Sequence, residues 1–108
     1  MSLNHVSALE LRDYLDRCDV PPLLLDVRED WEFEICQIEG STHMPMSGIV
    51  ENYASLDPEQ ETVVICHHGM RSLQVAEFLI NAGFKRILNL SGGINAWSRE
   101  VDPEVPTY

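Results

Sequence analysis

Basic residues are scarce in this chain of 108 residues: seven Lys and Arg stand against 18 Asp and Glu, for a formal charge of −11. Such a surface excludes non-specific binding to nucleic acid or to anionic membranes, so any positive field must be local. Cysteine is sparse too. Three cysteines and no Cys-x-x-Cys pair argue against a disulfide framework and agree with a reducing compartment, the cytoplasm by default. No apolar run approaches the ~20 residues of a membrane-spanning helix. Residues 1–8 lack the basic and apolar regions of a signal peptide, and Met1-Ser2-Leu3 is compatible with an added leader. Repeats, linkers and low-complexity tracts are also missing, so the length points to one domain, residues 1–108, with a single packed core.

What is present is an alternation of short apolar strands and amphipathic helices. Ser7-Ala8-Leu9-Glu10 is a capping box, and Leu9, Leu11, Tyr14 and Leu15 give the following helix an apolar face up to Arg17. Pro21-Pro22 ends that segment. The run Leu23-Leu24-Leu25-Asp26-Val27 has the continuous apolar character of a buried parallel strand. Asp30 is placed to cap a short helix over residues 31–35, residues 41–44 suggest a short strand, and a helix is expected over 49–55.

A further strand, Thr62-Val63-Val64-Ile65, leads into Cys66. Val75, Phe78, Leu79 and Ala82 mark the apolar face of a helix over residues 72–82, closed by Gly83. Ile87-Leu88-Asn89-Leu90 is the last strand, followed by Ser91-Gly92-Gly93 and a helix over 94–99 with Trp97 in the core. Residues 102–108 read as an extended tail. This order implies an α/β fold, a three-layer α/β/α sandwich around a mostly parallel sheet, with ligands beyond the carboxyl ends of the strands.

That is where Cys66 falls. A thiol between a strand and a helix start meets free backbone N–H groups and the positive end of a helix dipole, which favour the nucleophilic thiolate. Arg71 adds a permanent positive charge to the same segment, Cys66-His67-His68-Gly69-Met70-Arg71-Ser72. The chemistry indicated is a cysteine nucleophile acting on an anionic substrate. No metal site is indicated, because His67 and His68 are adjacent and the other histidines are distant. Cys18 and Cys36 read as structural, with a resolving role for Cys36 left open.

Three segments together resemble the rhodanese family over nearly the whole chain. They are Leu24-Leu25-Asp26-Val27-Arg28-Glu29 with Glu32-Phe33, the loop from Cys66 to Ser72, and Leu90-Ser91-Gly92-Gly93-Ile94-Asn95-Ala96-Trp97. One stretch departs: the family's Gly-His-Ile-Pro-Gly-Ala is here Cys36-Gln37-Ile38-Glu39-Gly40-Ser41. The resemblance implies a five-stranded, mostly parallel sheet and a thiosulfate sulfurtransferase-type activity without a cofactor. A Cys66 persulfide would carry sulfane sulfur from thiosulfate or a persulfide to cyanide, a thiol or a protein acceptor. It further implies that Cys66 and Arg71 are catalytic, with Arg71 orienting sulfonate oxygens, and that His67, His68, Gly69, Met70 and Ser72 bind substrate, Ser72 also capping the helix. The ending from Val101 to Tyr108 resembles tails on rhodanese domains fused to enzymes that activate ubiquitin-like sulfur carriers.

Two alternatives compete. Phosphatases and arsenate reductases of this fold carry one more residue between Cys and Arg than the four found here, and a His where this chain has Ile65. A non-catalytic binding or regulatory module would use the same preformed loop without turnover.

Overall fold

The computed structural model describes residues 2–108 of the chain. Five strands form one parallel sheet in the order β1-β5-β4-β2-β3: β1 Ser2–Val6, β2 Leu23–Asp26, β3 Thr42–His43, β4 Thr62–Ile65 and β5 Arg86–Leu90. The helices are α1 Ala8–Arg17, α2 Asp30–Ile35, α3 Ile49–Asn52, α4 Met70–Asn81 and α5 Gly93–Glu100, with a turn of 3₁₀ helix at Tyr53–Ser55.

Alternation along β4 sorts the core into two layers. Val63 and Ile65 join Ala8 and Leu11 of α1 and Ile94 and Trp97 of α5, whereas Val64 and Cys66 join Val75, Ala76 and Leu79 of α4. Both faces of the sheet are therefore covered, as a parallel sheet requires. Ser7 caps α1 with its reciprocal Glu10 bond, as the capping box predicts. Gly83, at φ +102°, is the left-handed residue that follows α4.

Several expectations are corrected. Ser2 and Leu3 pair with Arg86 and Ile87 inside β1, a strand that the sequence pattern does not announce; Met1 lies outside the described residues. Leu9 is exposed, whereas Leu11 faces inward as expected, with Ala8 buried in place of Leu9. Glu29, not Asp30, stands at the N-cap of α2, with Glu32 closing a capping box on the Glu29 N–H. Helix α4 starts at Met70, so Gly69 is its N-cap and Ser72 lies inside the first turn. The tail has no regular structure, yet Val105 and Tyr108 pack against the core.

Strand order also opens the site. After β2 the chain runs outward to β3, and after β4 it runs the other way to β5. The loops following these two adjacent strands diverge, leaving a crevice at their carboxyl ends where α/β folds bind ligands.

Candidate active site

Cys66 is the first residue beyond β4 and is 1% exposed. Its Sγ accepts the Gly69 N–H at 2.9 Å, and its thiol donates to Ser72 Oγ at 3.3 Å. The Ser72 hydroxyl in turn donates to Asn89 Oδ1 at 2.5 Å, and Asn89 Nδ2 donates to the Gly69 carbonyl at 3.3 Å. Asn89 of β5 thus holds both groups that touch the sulfur. Ser72 is fully buried beside the nucleophile, a different role from helix capping.

Glycines permit this loop. Gly69 sits at φ +101°, and a Cβ there would press on the Gly92 nitrogen at 3.1 Å and the Leu90 oxygen at 3.3 Å. At Gly93, φ +59°, a Cβ would overlap the Cys66 and His67 carbonyls. That closeness lets the first turn of α5 donate from Ile94 N–H to the Cys66 carbonyl at 2.8 Å and from Asn95 N–H to the His67 carbonyl at 3.1 Å. The Gly-Gly-Ile segment is therefore the floor that carries the cysteine loop.

Arg71 lies at this site, but its guanidinium is already engaged. It donates from Nη1 to Glu32 Oε1 at 2.5 Å and from Nη2 to Glu32 Oε2 at 2.7 Å. Those bonds hold the Glu32 carboxyl down at about 2, helped by the Glu29 N–H and the Tyr108 hydroxyl against the effect of burial. They also raise Arg71 above its ordinary value, with a smaller contribution from the nearby Cys66.

Tyr108 closes the neighbourhood. Its hydroxyl donates to Glu32 Oε2 at 2.7 Å and accepts from Arg28 Nη1 at 3.1 Å, and burial pushes its phenol up to about 12. Its ring stacks on His67 at 3.9 Å, and the His68 ring lies tilted against the same imidazole at 3.9 Å. Burial, followed by the neighbouring His68, lowers His67 below its usual value, which keeps the ring neutral. His68 is exposed, and Met70 is 72% exposed at the start of α4. Arg28 is wholly buried against Asp26, which it contacts at 2.7 Å.

Of the residues singled out from the sequence, Cys66, Gly69 and Ser72 converge on the sulfur. His67 and Arg71 face the tail and α2, while Met70 and His68 form the rim. Glu32, Asn89 and Tyr108 are site residues that sequence reasoning missed; the strand-bound Asn89 and the aromatic end of the tail were the available signals. Cys36 is buried in the layer of α1 and α5, across the sheet from the layer that holds Cys66. Among the described residues no group of His, Cys, Asp and Glu could hold a metal ion. A groove of about 720 Å³ lined by Tyr14, Arg17, Cys18 and Arg86 lies at the opposite, amino-terminal end of the strands, away from this chemistry.

Comparison with known proteins decides the lineage, since residues 7–100 match the Rhodanese family, described as the rhodanese-like domain. The chain belongs to the rhodanese-like family. It is 36% identical to "Putative sulfurtransferase YtwF" of Bacillus subtilis over 104 residues, 96% of this chain and 99% of that protein. It is 43% identical over 89 residues to the rhodanese-like/PpiC domain-containing protein 12 of Arabidopsis thaliana, covering 79% of this chain but 30% of that longer protein. Identity to the maize adenylyltransferase and sulfurtransferase MOCS3-1 is 35%, over 82% of this chain and 20% of that one. Among solved structures, a rhodanese-related protein from Thermoplasma volcanium superposes with a TM-score of 0.83 at 31% identity, over 97% of this chain and 99% of that one. A rhodanese-like domain protein from Staphylococcus aureus gives 0.83 at 28%, over 97% and 98%. The family match and the similarity to YtwF together support sulfurtransferase activity in general terms.

Proposed function

We propose that this rhodanese-like protein acts as a single-domain sulfurtransferase whose Cys66 carries sulfur as a persulfide. The observation that carries this reading is the Gly69 N–H aimed at Cys66 Sγ at 2.9 Å, at the start of α4. That donor and the helix dipole stabilise negative charge on Sγ or on a sulfur attached to it. The Cys66 thiolate attacks the sulfane sulfur of thiosulfate or of a persulfide; the donor's S–S bond breaks, and sulfite or a thiolate leaves with the electron pair. Cyanide, a thiol or a protein acceptor then takes the outer sulfur and restores Cys66. Arg71 contributes positive charge to this segment, and His67, His68 and Met70 form the rim that an acceptor meets. A protein acceptor is supported by relatives that join a sulfurtransferase to an adenylyltransferase. The three free cysteines suit a reducing compartment such as the cytoplasm, and no helix is long and apolar enough to cross a membrane.

Intact-mass analysis tests the reading. Brief exposure to thiosulfate or cysteine persulfide adds one sulfur atom, peptide mapping places it on Cys66, and cyanide removes it as thiocyanate. Folded protein that gains no sulfur from either donor is instead a docking module.

A further inference from the structure

The Glu32–Arg71 pair spans the crevice between the loops that follow β2 and β4, the place where a donor must enter. Resting on the sulfurtransferase reading above, we infer that Glu32 is a specificity-determining residue that sets this site against the thiosulfate dianion and in favour of a low-charge persulfide donor. Glu32 is in no position to step aside. Its carboxylate takes two bonds from Arg71, one from the Tyr108 hydroxyl and one from the Glu29 N–H at 3.0 Å. It lies at the third position of α2, and its side chain is 4% exposed.

Charge counting at this end of the sheet gives the same answer. Arg28 is matched by Asp26, both side chains at 0% exposure, and Arg71 is matched by Glu32. Arg71 is the only Arg or Lys between residues 66 and 72, so the loop offers an incoming anion no unmatched cation. Glu32 takes two of the five Arg71 N–H groups, so a sulfonate that uses the others meets a guanidinium whose charge is already offset by a buried carboxylate beside it. With thiosulfate, three negative charges meet when the Cys66 thiolate attacks. A persulfide R–S–S⁻ brings that number to two, and the charge it carries sits on the terminal sulfur, where the Gly69 N–H serves it without a guanidinium. In that step the Cys66 Sγ–S bond forms as the donor S–S bond breaks. R–S⁻ departs with the electron pair and one negative charge, and the other charge stays on the terminal sulfur of the Cys66 persulfide.

Single-turnover loading of the full chain from thiosulfate and from cysteine persulfide, followed by intact mass, tests the assignment. Glu32→Gln removes the opposing carboxylate charge beside Arg71, and the thiosulfate rate constant rises about tenfold, the worth of one charge-assisted hydrogen bond. The cysteine persulfide rate changes less than about twofold, because that donor does not use Arg71. A fall in both rates together marks Glu32 as merely structural and overturns the inference, as does an unchanged ratio of the two. Should that variant not fold, the conservative Glu32→Asp variant decides the question. Glu32→Asp draws the carboxylate back from Arg71 and raises the ratio of thiosulfate to cysteine persulfide rates severalfold; an unchanged ratio overturns the inference. Wild-type protein that accepts sulfur from neither donor removes the sulfurtransferase reading itself, whereas loading from both with an unmoved ratio removes this inference alone.

Discussion

Glu32 and Arg71 lie 39 positions apart in the chain and meet in two parallel hydrogen bonds of 2.5 and 2.7 Å, one residue arriving from α2, which follows β2, and the other from the first turn of α4. The pair fastens the two sides of the crevice together, and it gives the fold a dependence on acid.

Glu32 titrates near 2 in the folded protein, against an ordinary value of 4.5. A carboxyl whose folded value is depressed adds stability that is complete above about 4.5 and is lost as pH falls towards 2. The contribution is on the order of 3 kcal/mol. Urea unfolding of wild type and Glu32→Gln should therefore differ most at neutral pH, with the two curves converging as the pH approaches 2. A constant gap down to pH 2 contradicts the assignment.

Cys66→Ser should abolish sulfur loading and thiosulfate:cyanide activity. Cys18→Ser and Cys36→Ser should keep most of it, because Cys36 lies in the core layer across the sheet. Loss of activity in folded Cys36→Ser protein reinstates a resolving thiol.

Asn89→Ala removes the acceptor for the Ser72 hydroxyl and a donor to the Gly69 carbonyl, leaving polar groups buried without partners. A cost of about 1–3 kcal/mol is expected, together with slower loading of Cys66. Paired urea titrations and loading rates measure both; unchanged loading separates Asn89 from the chemistry.

Asp26→Ala strands the Arg28 charge, since both side chains of that pair are fully buried. Destabilisation of about 3–5 kcal/mol is expected, measured by the shift in urea midpoint. A loss under about 1 kcal/mol means that Tyr108 and backbone carbonyls alone satisfy the guanidinium.

Four residues between Cys66 and Arg71 make a tight loop, and Gly93 packs closely against its Cys66 and His67 carbonyls. Aryl phosphate hydrolysis and arsenate reduction by the wild-type protein should be negligible. Steady turnover of p-nitrophenyl phosphate reverses that expectation.

Local chemistry made much of this protein legible beforehand. The apolar runs of β2 and β4, the capping box of α1 and the glycine after α4 are short-range signals, and each specifies its element through a handful of neighbouring residues. The cysteine loop was legible for the same reason: strand, thiol, glycine and arginine fall within a few residues of one another. β1 was not, because Ser2-Leu3-Asn4-His5-Val6 has too few apolar residues to form a run, and its conformation depends on pairing with β5.

From sequence alone come the order of the helices and of strands β2 to β5, the family resemblance and the nucleophile, all of which depend on periodicity or on contiguous motifs. Only the tertiary structure decided what Arg71 faces, what stands behind the sulfur, and where the tail goes. Tyr108 reaches Arg28 across 80 positions, Asn89 reaches Ser72 from another strand, and Glu32 occupies a guanidinium expected to await substrate. Such contacts leave no periodic trace in the chain. They arise because a parallel sheet gathers the carboxyl ends of its strands at one edge, where charges from distant segments must neutralise one another once water is excluded.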